Sequence, residues 1–394
     1  MGGVATRLAT ELAALREAGT YKGFRCLQGA TGPTVSLEGQ GEVLLLCSNN
    51  YLGLAAHPEV VAGGIAALRR YGAGAASVRF ICGTLDLHRA LEERLAAWVG
   101  TEAALTFASC WNANTGLLPT LLGEGDALLS DELNHASIID AARLTRGATR
   151  LVYRHGDMAD LEAKLIAQRA ARSRWIVTDG VFSMEGDLAD LPRITLLAER
   201  HDAVVVVDDS HGLGVLGATG RGTAEHQGLL GRIDIVTGTL GKALGGASGG
   251  FVAASAAVID YLAQRSRPQL FSNALPPAVA GSALAALEVL AREPQRVARL
   301  GANAAHLRSA LLAAGCRPLP GASAIVPVLV GATAQAIRWS ERLLAQGIFV
   351  VGFGYPVVPE GAARLRLQVS ADHTGPQLER AVAALAALGA SGGG

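Results

Sequence analysis

Lysine is scarce in this chain: among 34 basic residues only Lys22, Lys164 and Lys242 are lysines, so each stands in a setting that asks for a reason. Charge of either sign is also sparse, 17% of residues, and 34 acids balance the 34 bases. That balance argues against nucleic acid or an anionic membrane as the main partner, since both require a basic surplus. No run of about 18 apolar residues occurs, which excludes a helical membrane span. Residues 1–17 carry Arg7, Glu11, Arg16 and Glu17 among alanines and read as an amphipathic helix, not a signal peptide. Cysteines are few and odd in number (Cys26, Cys47, Cys82, Cys110, Cys316), without C-x-x-C spacing. They fit buried thiols in a reducing cytoplasm better than a disulfide frame or a zinc site.

What remains is core-rich: 394 residues, half of them apolar, enough for two or more lobes. Residues 1–48 read as an N-terminal arm of a helix plus short strands, 49–285 as a large domain and 286–394 as a C-terminal α+β domain. In the large domain, apolar runs at 104–107, 127–130, 150–153, 175–179, 203–208, 235–239 and 250–253 predict strands. Helical spacing occupies 86–99, 112–122, 135–144, 157–169 and 191–200 between them. Continuous apolar runs separated by helices predict an α/β architecture, a mostly parallel sheet sandwiched by helices. Such sheets bind ligands beyond the carboxyl ends of their strands, and three of those ends here are polar: Asp179, Asp208 and Thr239. In the C-terminal domain the pattern predicts strands at 325–330, 348–351 and 364–369 and helices at 297–314, 332–346 and 374–388, with a frayed tail from Ser391.

Lys242 lies in Asp234-Ile-Val-Thr-Gly-Thr-Leu-Gly-Lys-Ala-Leu-Gly-Gly-Ala-Ser-Gly-Gly250, glycine-rich and otherwise uncharged. A phosphate-binding Walker loop needs G-x-x-x-x-G-K followed by Ser or Thr, and neither condition holds. A lysine held from water titrates low and can condense with an aldehyde; one that snorkels out of a turn does not. Val204-Val-Val-Val-Asp208-Asp209-Ser210-His211 is either a strand followed by a helix cap or an acid and an imidazole placed for a pyridine ring. His135, in Asn134-His-Ala-Ser137, is a capped or solvated histidine or a flat ring for stacking. Ser109-Cys110-Trp111-Asn112 joins a strand to a helix, so its amides suit phosphate. Ser183 and Thr239 add hydroxyls that could equally be turn formers. Ser248 sits in a G-x-S-x-G match but precedes a strand, which fails the context of a hydrolase nucleophile, and Gly72-Ala-Gly74 lacks the strand that a dinucleotide loop requires.

In order and combination, Ser48-Asn-Asn-Tyr-Leu-Gly53, Ala76-Ser-Val-Arg-Phe-Ile-Cys-Gly-Thr84, Asn134–Ser137, Thr178-Asp-Gly-Val-Phe-Ser-Met184, Val207-Asp-Asp-Ser-His211 and Thr239-Leu-Gly-Lys242 resemble the α-oxoamine synthase family of fold-type-I pyridoxal-phosphate enzymes. The resemblance covers about residues 45–373. It implies pyridoxal 5'-phosphate held covalently by Lys242, with Asp208 on the pyridine nitrogen, His211 on the ring hydroxyl and His135 stacked on the ring. It implies that Cys110 and Trp111 amides and Thr239 hold the phosphate, with Ser183 beside the cofactor. Ser272 and Asn273 would reach the phosphate of a neighbouring subunit, giving a homodimer with shared sites. Asn50 and Arg366 would orient an amino-acid carboxylate, with Asn49 an alternative to Asn50. Trp111 departs from the family, where phenylalanine is expected. Within the family, 76–84, 238–250 and 265–273 favour members joining glycine to acetyl-CoA over those condensing alanine with a pimeloyl thioester. Val78 and Phe80 offer no partner for a succinyl carboxylate. A serine hydrolase built on Ser248, His211 and Asp208 stands as a distant alternative.

Overall fold

The computed structural model describes residues 2–21 and 23–390; Met1, Lys22 and the tail from Ser391 lie outside the described residues. The arm consists of helix α1 (Gly2–Glu17) and an antiparallel hairpin of β1 (Thr34–Leu37) and β2 (Gly41–Leu45). The large domain follows with α2 (Pro58–Tyr71), α3 (Asp86–Val99), β3 (Ala103–Phe107), α4 (Cys110–Leu121), β4 (Ala127–Asp131), α5 (Ala136–Leu144), β5 (Thr149–Tyr153) and α6 (Met158–Ala167). It continues through β6 (Arg174–Asp179), α7 (Leu191–His201), β7 (Ala203–Asp208), α8 (Thr223–His226), β8 (Ile235–Thr239) and β9 (Gly250–Ala254). After α9 (Ala256–Arg265) and α10 (Arg267–Phe271), helix α11 (Pro277–Arg292) runs across position 285 and α12 (Gln295–Ala313) follows. The last elements are β10 (Ile325–Gly331), α13 (Thr333–Ala345), β11 (Ile348–Phe349), β12 (Val351–Phe353), β13 (Ala363–Gln368) and α14 (Gly375–Ala390).

The seven-stranded sheet has the order β3-β9-β8-β7-β6-β4-β5, and only β9 runs antiparallel to its neighbours. Its inner strands are rich in apolar residues because they feed two cores, whereas edge strand β5 is largely exposed. On β7, Val205 and Val207 join one core and Val206 the other; on β4, Leu129 and Leu128 divide in the same way. Burial on both faces removes the alternation that a half-solvated strand would show. The carboxyl ends of β6, β7 and β8 therefore lie side by side, with Asp179 opposite Asp208 and Asp208 opposite Thr237.

The strand expected at 348–351 is two strands. Ile348 and Phe349 pair with β2 of the arm, whereas β12 pairs with β13, and fully buried Val350 marks the passage between the two sheets. Helix α2 has no counterpart in the pattern reading, because Gly63 and Gly64 lower its intrinsic propensity. They are required by packing: a Cβ on Gly63 would stand 2.8 Å from the Cβ of Ala285, and one on Gly64 2.5 Å from Ser282 Oγ, both on α11.

Candidate active site

A cavity of about 220 Å³ opens beyond β6, β7 and β8. It brings together Cys110, Trp111, His135, Ser183, Asp208, His211, Thr239 and Lys242, residues that span most of the large domain in sequence. Asn50, Arg366, Ser272 and Asn273 are not on its lining.

Lys242 follows a turn shaped by Thr239, whose hydroxyl donates to the Gly249 carbonyl at 3.1 Å and accepts from the Gly241 amide at 3.1 Å. Burial pulls the Lys242 amine below the usual lysine range; Asp208, Cys110 and Asp179 pull it back up, and Arg366 adds to the lowering. Desolvation outweighs the pull of those groups. Asp208, at the end of β7, is 4% exposed. It accepts from Asn114 Nδ2 at 2.6 Å, from the Ser210 amide at 3.0 Å and from Cys110 Sγ at 3.6 Å. These donors are all neutral, so among the described residues no cation is in direct contact with this buried acid, although Lys242 lies near it. Burial and the nearby Asp208 raise Asp179 well above the carboxylate range, while the His135 amide, 2.8 Å from its Oδ2, opposes the shift.

His135 caps α5, and its Nδ1 accepts from the Ser137 amide at 3.2 Å. Burial holds the ring neutral against the pull of Asp208, so Nε2 carries the proton. Trp111 meets the His135 ring edge-on, with centroids 6.1 Å apart. Across the cavity His211 is held well below the usual histidine pKa by burial first, then by Lys242, Arg366 and His135. Ser109 caps α4, its hydroxyl accepting from the Asn112 amide at 3.1 Å. The amides of Cys110 and Trp111 stand in the first turn, where no intrahelical carbonyl precedes them, and they present the positive end of the helix dipole to the cavity.

Three further residues complete the site. Asn114 gives one amide hydrogen to Asp208 and the other to Ser137 Oγ at 2.9 Å, joining the acid to the cap of His135. The available signal was a polar residue on the buried face of α4, beside Ala113, Leu117 and Leu118. Asp179 was legible as a polar strand end. Tyr51 Oη lies 2.9 Å from His211 Nδ1, a contact across 160 residues that no local spacing announces.

Arg366, 9% exposed on β13, stands over the ring of Phe353 at 5.7 Å, and its Nε has no partner among the described residues. Asn50 commits its amide oxygen to the Ala55 amide at 3.1 Å and one amide hydrogen to the Thr31 carbonyl at 3.1 Å. Ser272 and Asn273 follow α10, where Asn273 bridges to Val78. Ser248 is exposed in the loop before β9 and absent from the cavity lining, which removes the nucleophile that a hydrolase would need.

The donor set fits pyridoxal 5'-phosphate. A buried acid without a cation in direct contact suits a protonated pyridine nitrogen, a lowered amine suits an aldehyde, and a helix N-terminus suits a phosphate.

Residues 41–385 match the family profile described as aminotransferase class I and II. The chain is 47% identical over 385 residues to the 2-amino-3-ketobutyrate coenzyme A ligase of Escherichia coli K12, covering 97% of this chain and 96% of that protein. It is 49% identical over 385 residues to the 8-amino-7-oxononanoate synthase of Geobacter sulfurreducens, covering 97% of each. Among solved structures, serine palmitoyltransferase from S. paucimobilis with a bound PLP–myriocin adduct superposes with a TM-score of 0.92 at 32% identity, covering 98% of this chain and 97% of that one. The chain belongs to the aminotransferase class I and II family, in its α-oxoamine synthase branch, with the fold of the type-I pyridoxal-phosphate transferases.

Proposed function

We propose that this chain is a pyridoxal-phosphate-dependent C-acyltransferase that joins glycine to acetyl-CoA, giving 2-amino-3-oxobutanoate and CoA. The reaction is reversible, and cleavage by CoA during threonine breakdown is the direction we assign in the cell, in the cytoplasm. The observation that carries the assignment is the convergence of Lys242, Asp208, His211 and the α4 N-terminus on one cavity.

The bound cofactor supplies an electron sink that acidifies the α-hydrogen of an attached amino acid. Lys242 would hold the cofactor, and its amine, lowered by burial, would serve as general base for the α-proton. Asp208, fixed by Asn114 and Ser210, keeps the ring nitrogen protonated. His135 would cover one ring face, His211 would hydrogen-bond the ring hydroxyl, and Ser183 would lie alongside. The amides of Cys110 and Trp111 would hold the phosphate, joined by the Thr239 hydroxyl when it turns its proton from the Gly249 carbonyl. Arg366 grips the substrate carboxylate through its planar fork, helped by Asn50.

Acyl groups without a distal charge are favoured by the segment at 78–81, which does not exclude a longer apolar chain. Its one cation, Arg79, is consumed by Glu92 at 2.6 Å and 2.9 Å, which leaves Val78, Phe80 and Ile81 to offer only apolar surface to a distal carboxylate. The identity to an 8-amino-7-oxononanoate synthase keeps a second reading in view, decarboxylating condensation of alanine with a pimeloyl thioester. Thiol release from glycine and from alanine, each with acetyl-CoA and pimeloyl-CoA, separates the two. Faster release with glycine and acetyl-CoA is expected; faster release with alanine and pimeloyl-CoA replaces the first reading by the second.

A further inference from the structure

The turn that brings Ser183 to the cavity is gripped by a charged pair on each side. It closes on itself through the Gly186 amide, which donates to the Phe182 carbonyl at 2.8 Å, and the Phe182 amide, which donates to the Asp187 carbonyl at 3.0 Å. From the large domain, His155 Nε2 reaches Asp187 at 2.9 Å and keeps the turn with the sheet. From the C-terminal domain, Arg364 Nη1 donates to the Met184 carbonyl and to Glu185 Oε1, each at 3.0 Å. The Ser323 hydroxyl, ahead of β10, adds a bond to the Gly186 carbonyl at 2.6 Å. Within this turn Ser183 is the residue on the cavity lining.

Arg364 precedes Arg366 by two residues on β13, so both side chains leave one face of the strand, with their Cα atoms about 7 Å apart. β13 is the middle strand of its sheet: Arg364 is paired with Leu329 of β10 and Phe353 of β12, and Arg366 with Pro327 and Val351. The two guanidiniums, 5% and 9% exposed, have different surroundings. Arg364 is fully committed, with Nε on the Ala362 carbonyl at 3.0 Å and its charge met by Glu185. Arg366 keeps a buried Nε without a partner among the described residues. One arginine of the row therefore fastens the strand to the Ser183 turn, and the other is left for a ligand. Glycine has a single carbon between its amine and its carboxylate, so it has no slack to absorb a shift of that strand relative to the cofactor. We propose that Arg364 and Glu185 are positioning residues that, by tying β13 to the Ser183 turn, set the distance between the Arg366 fork and the cofactor. The proposal rests on the reading of Arg366 as the carboxylate site.

Methylamine carries the amine of glycine without the carboxylate, and comparing the two separates positioning from a general loosening of the site. Dissociation constants for both are read on the holoenzyme from the change in cofactor absorbance during titration. Arg366→Met is the control: its glycine constant rises at least about tenfold while its methylamine constant stays within about twofold. Arg364→Met raises the glycine constant at least about fivefold and again leaves methylamine within about twofold. Arg364→Lys, which keeps a cation for Glu185, falls between Arg364→Met and the parent. Glu185→Ala, at a half-buried position, behaves as Arg364→Met does and carries the test if that variant does not fold. Equal losses for glycine and methylamine overturn the positioning role, as does parent-like glycine binding in Arg364→Met or Glu185→Ala when Arg366→Met has lost it. Parent-like glycine binding in Arg366→Met instead overturns the carboxylate site itself, and with it the premise.

Discussion

At the scale of single residues, the chemistry depends on side chains whose charge is set by what surrounds them. Lys242 is lowered by burial, and the covalent role proposed for it is separable from cofactor affinity because the α4 N-terminus and Asp208 remain when it is removed. Lys242→Ala is expected to retain the cofactor noncovalently, to resist fixation by borohydride and to lose at least about 10³-fold in thiol release, the scale of a general base that also anchors. Fixation at another lysine would reassign the anchor. His155 illustrates the opposite shift. Burial alone would lower its pKa, but Asp131 and Asp187, each 2.9 Å from a ring nitrogen, overcome burial and raise it to about 10. An unfolded histidine titrates near about 6.5, so this imidazolium stabilises the fold fully below that pH, and the contribution is lost as pH rises through about 10. The melting-temperature gap between the parent and His155→Gln is therefore widest near about pH 6 and closes toward pH 10. A gap independent of pH would mean that packing against Phe182, at 4.4 Å, is what the residue provides.

At the scale of elements, the first turn of α4 joins the sheet to the cavity proposed for the cofactor. Gly250 begins β9, and a Cβ there would lie 2.3 Å from the amide nitrogen of Cys110. Gly250→Ala must push the α4 N-terminus aside, at a cost of about 1–3 kcal/mol in overpacking. The expected result is a folded protein whose affinity for pyridoxal phosphate falls at least about tenfold while its affinity for unphosphorylated pyridoxal falls less, since the displaced amides face the phosphate. Equal losses for both ligands would place the phosphate elsewhere. The same elements show what a sequence carries and what it does not. β7 was legible because burial on both faces writes an unbroken apolar run, β6 and β8 because shorter apolar, β-branched runs flank it, and Asp179, Asp208 and Thr239 because a polar residue ends each strand. The α2–α11 seam was not, since Gly63 and Gly64 read as helix breakers until the opposing helix is present. Nor were the contacts of Asn114 with Asp208, 94 residues apart, or of Tyr51 with Gln368, 317 apart, because only the tertiary fold brings such pairs together.

At the scale of the whole molecule, the single chain leaves apolar surface that a soluble monomer rarely shows. Phe80, Ile81 and Phe271 are 65%, 68% and 71% exposed around the Val78–Asn273 bridge, and Val4, Leu8, Leu12 and Leu15 form an uncovered stripe on α1. Contiguous patches of this kind mark interfaces. Ser272 and Asn273 stand within the first patch and off the lining of their own cavity, where a second copy could use them. If each site takes Lys242 from one subunit and Asn273 from the other, two inactive variants must repair one another. Lys242→Ala lacks the anchor, and Asn273→Asp sets a carboxylate against the phosphate. Co-refolded at equal amounts, half of the dimers are mixed. Each mixed dimer has one site with both residues intact, so activity recovers to about a quarter of the parent value. A chain that completes its own site gives no recovery, because every site in the mixture then carries one defect.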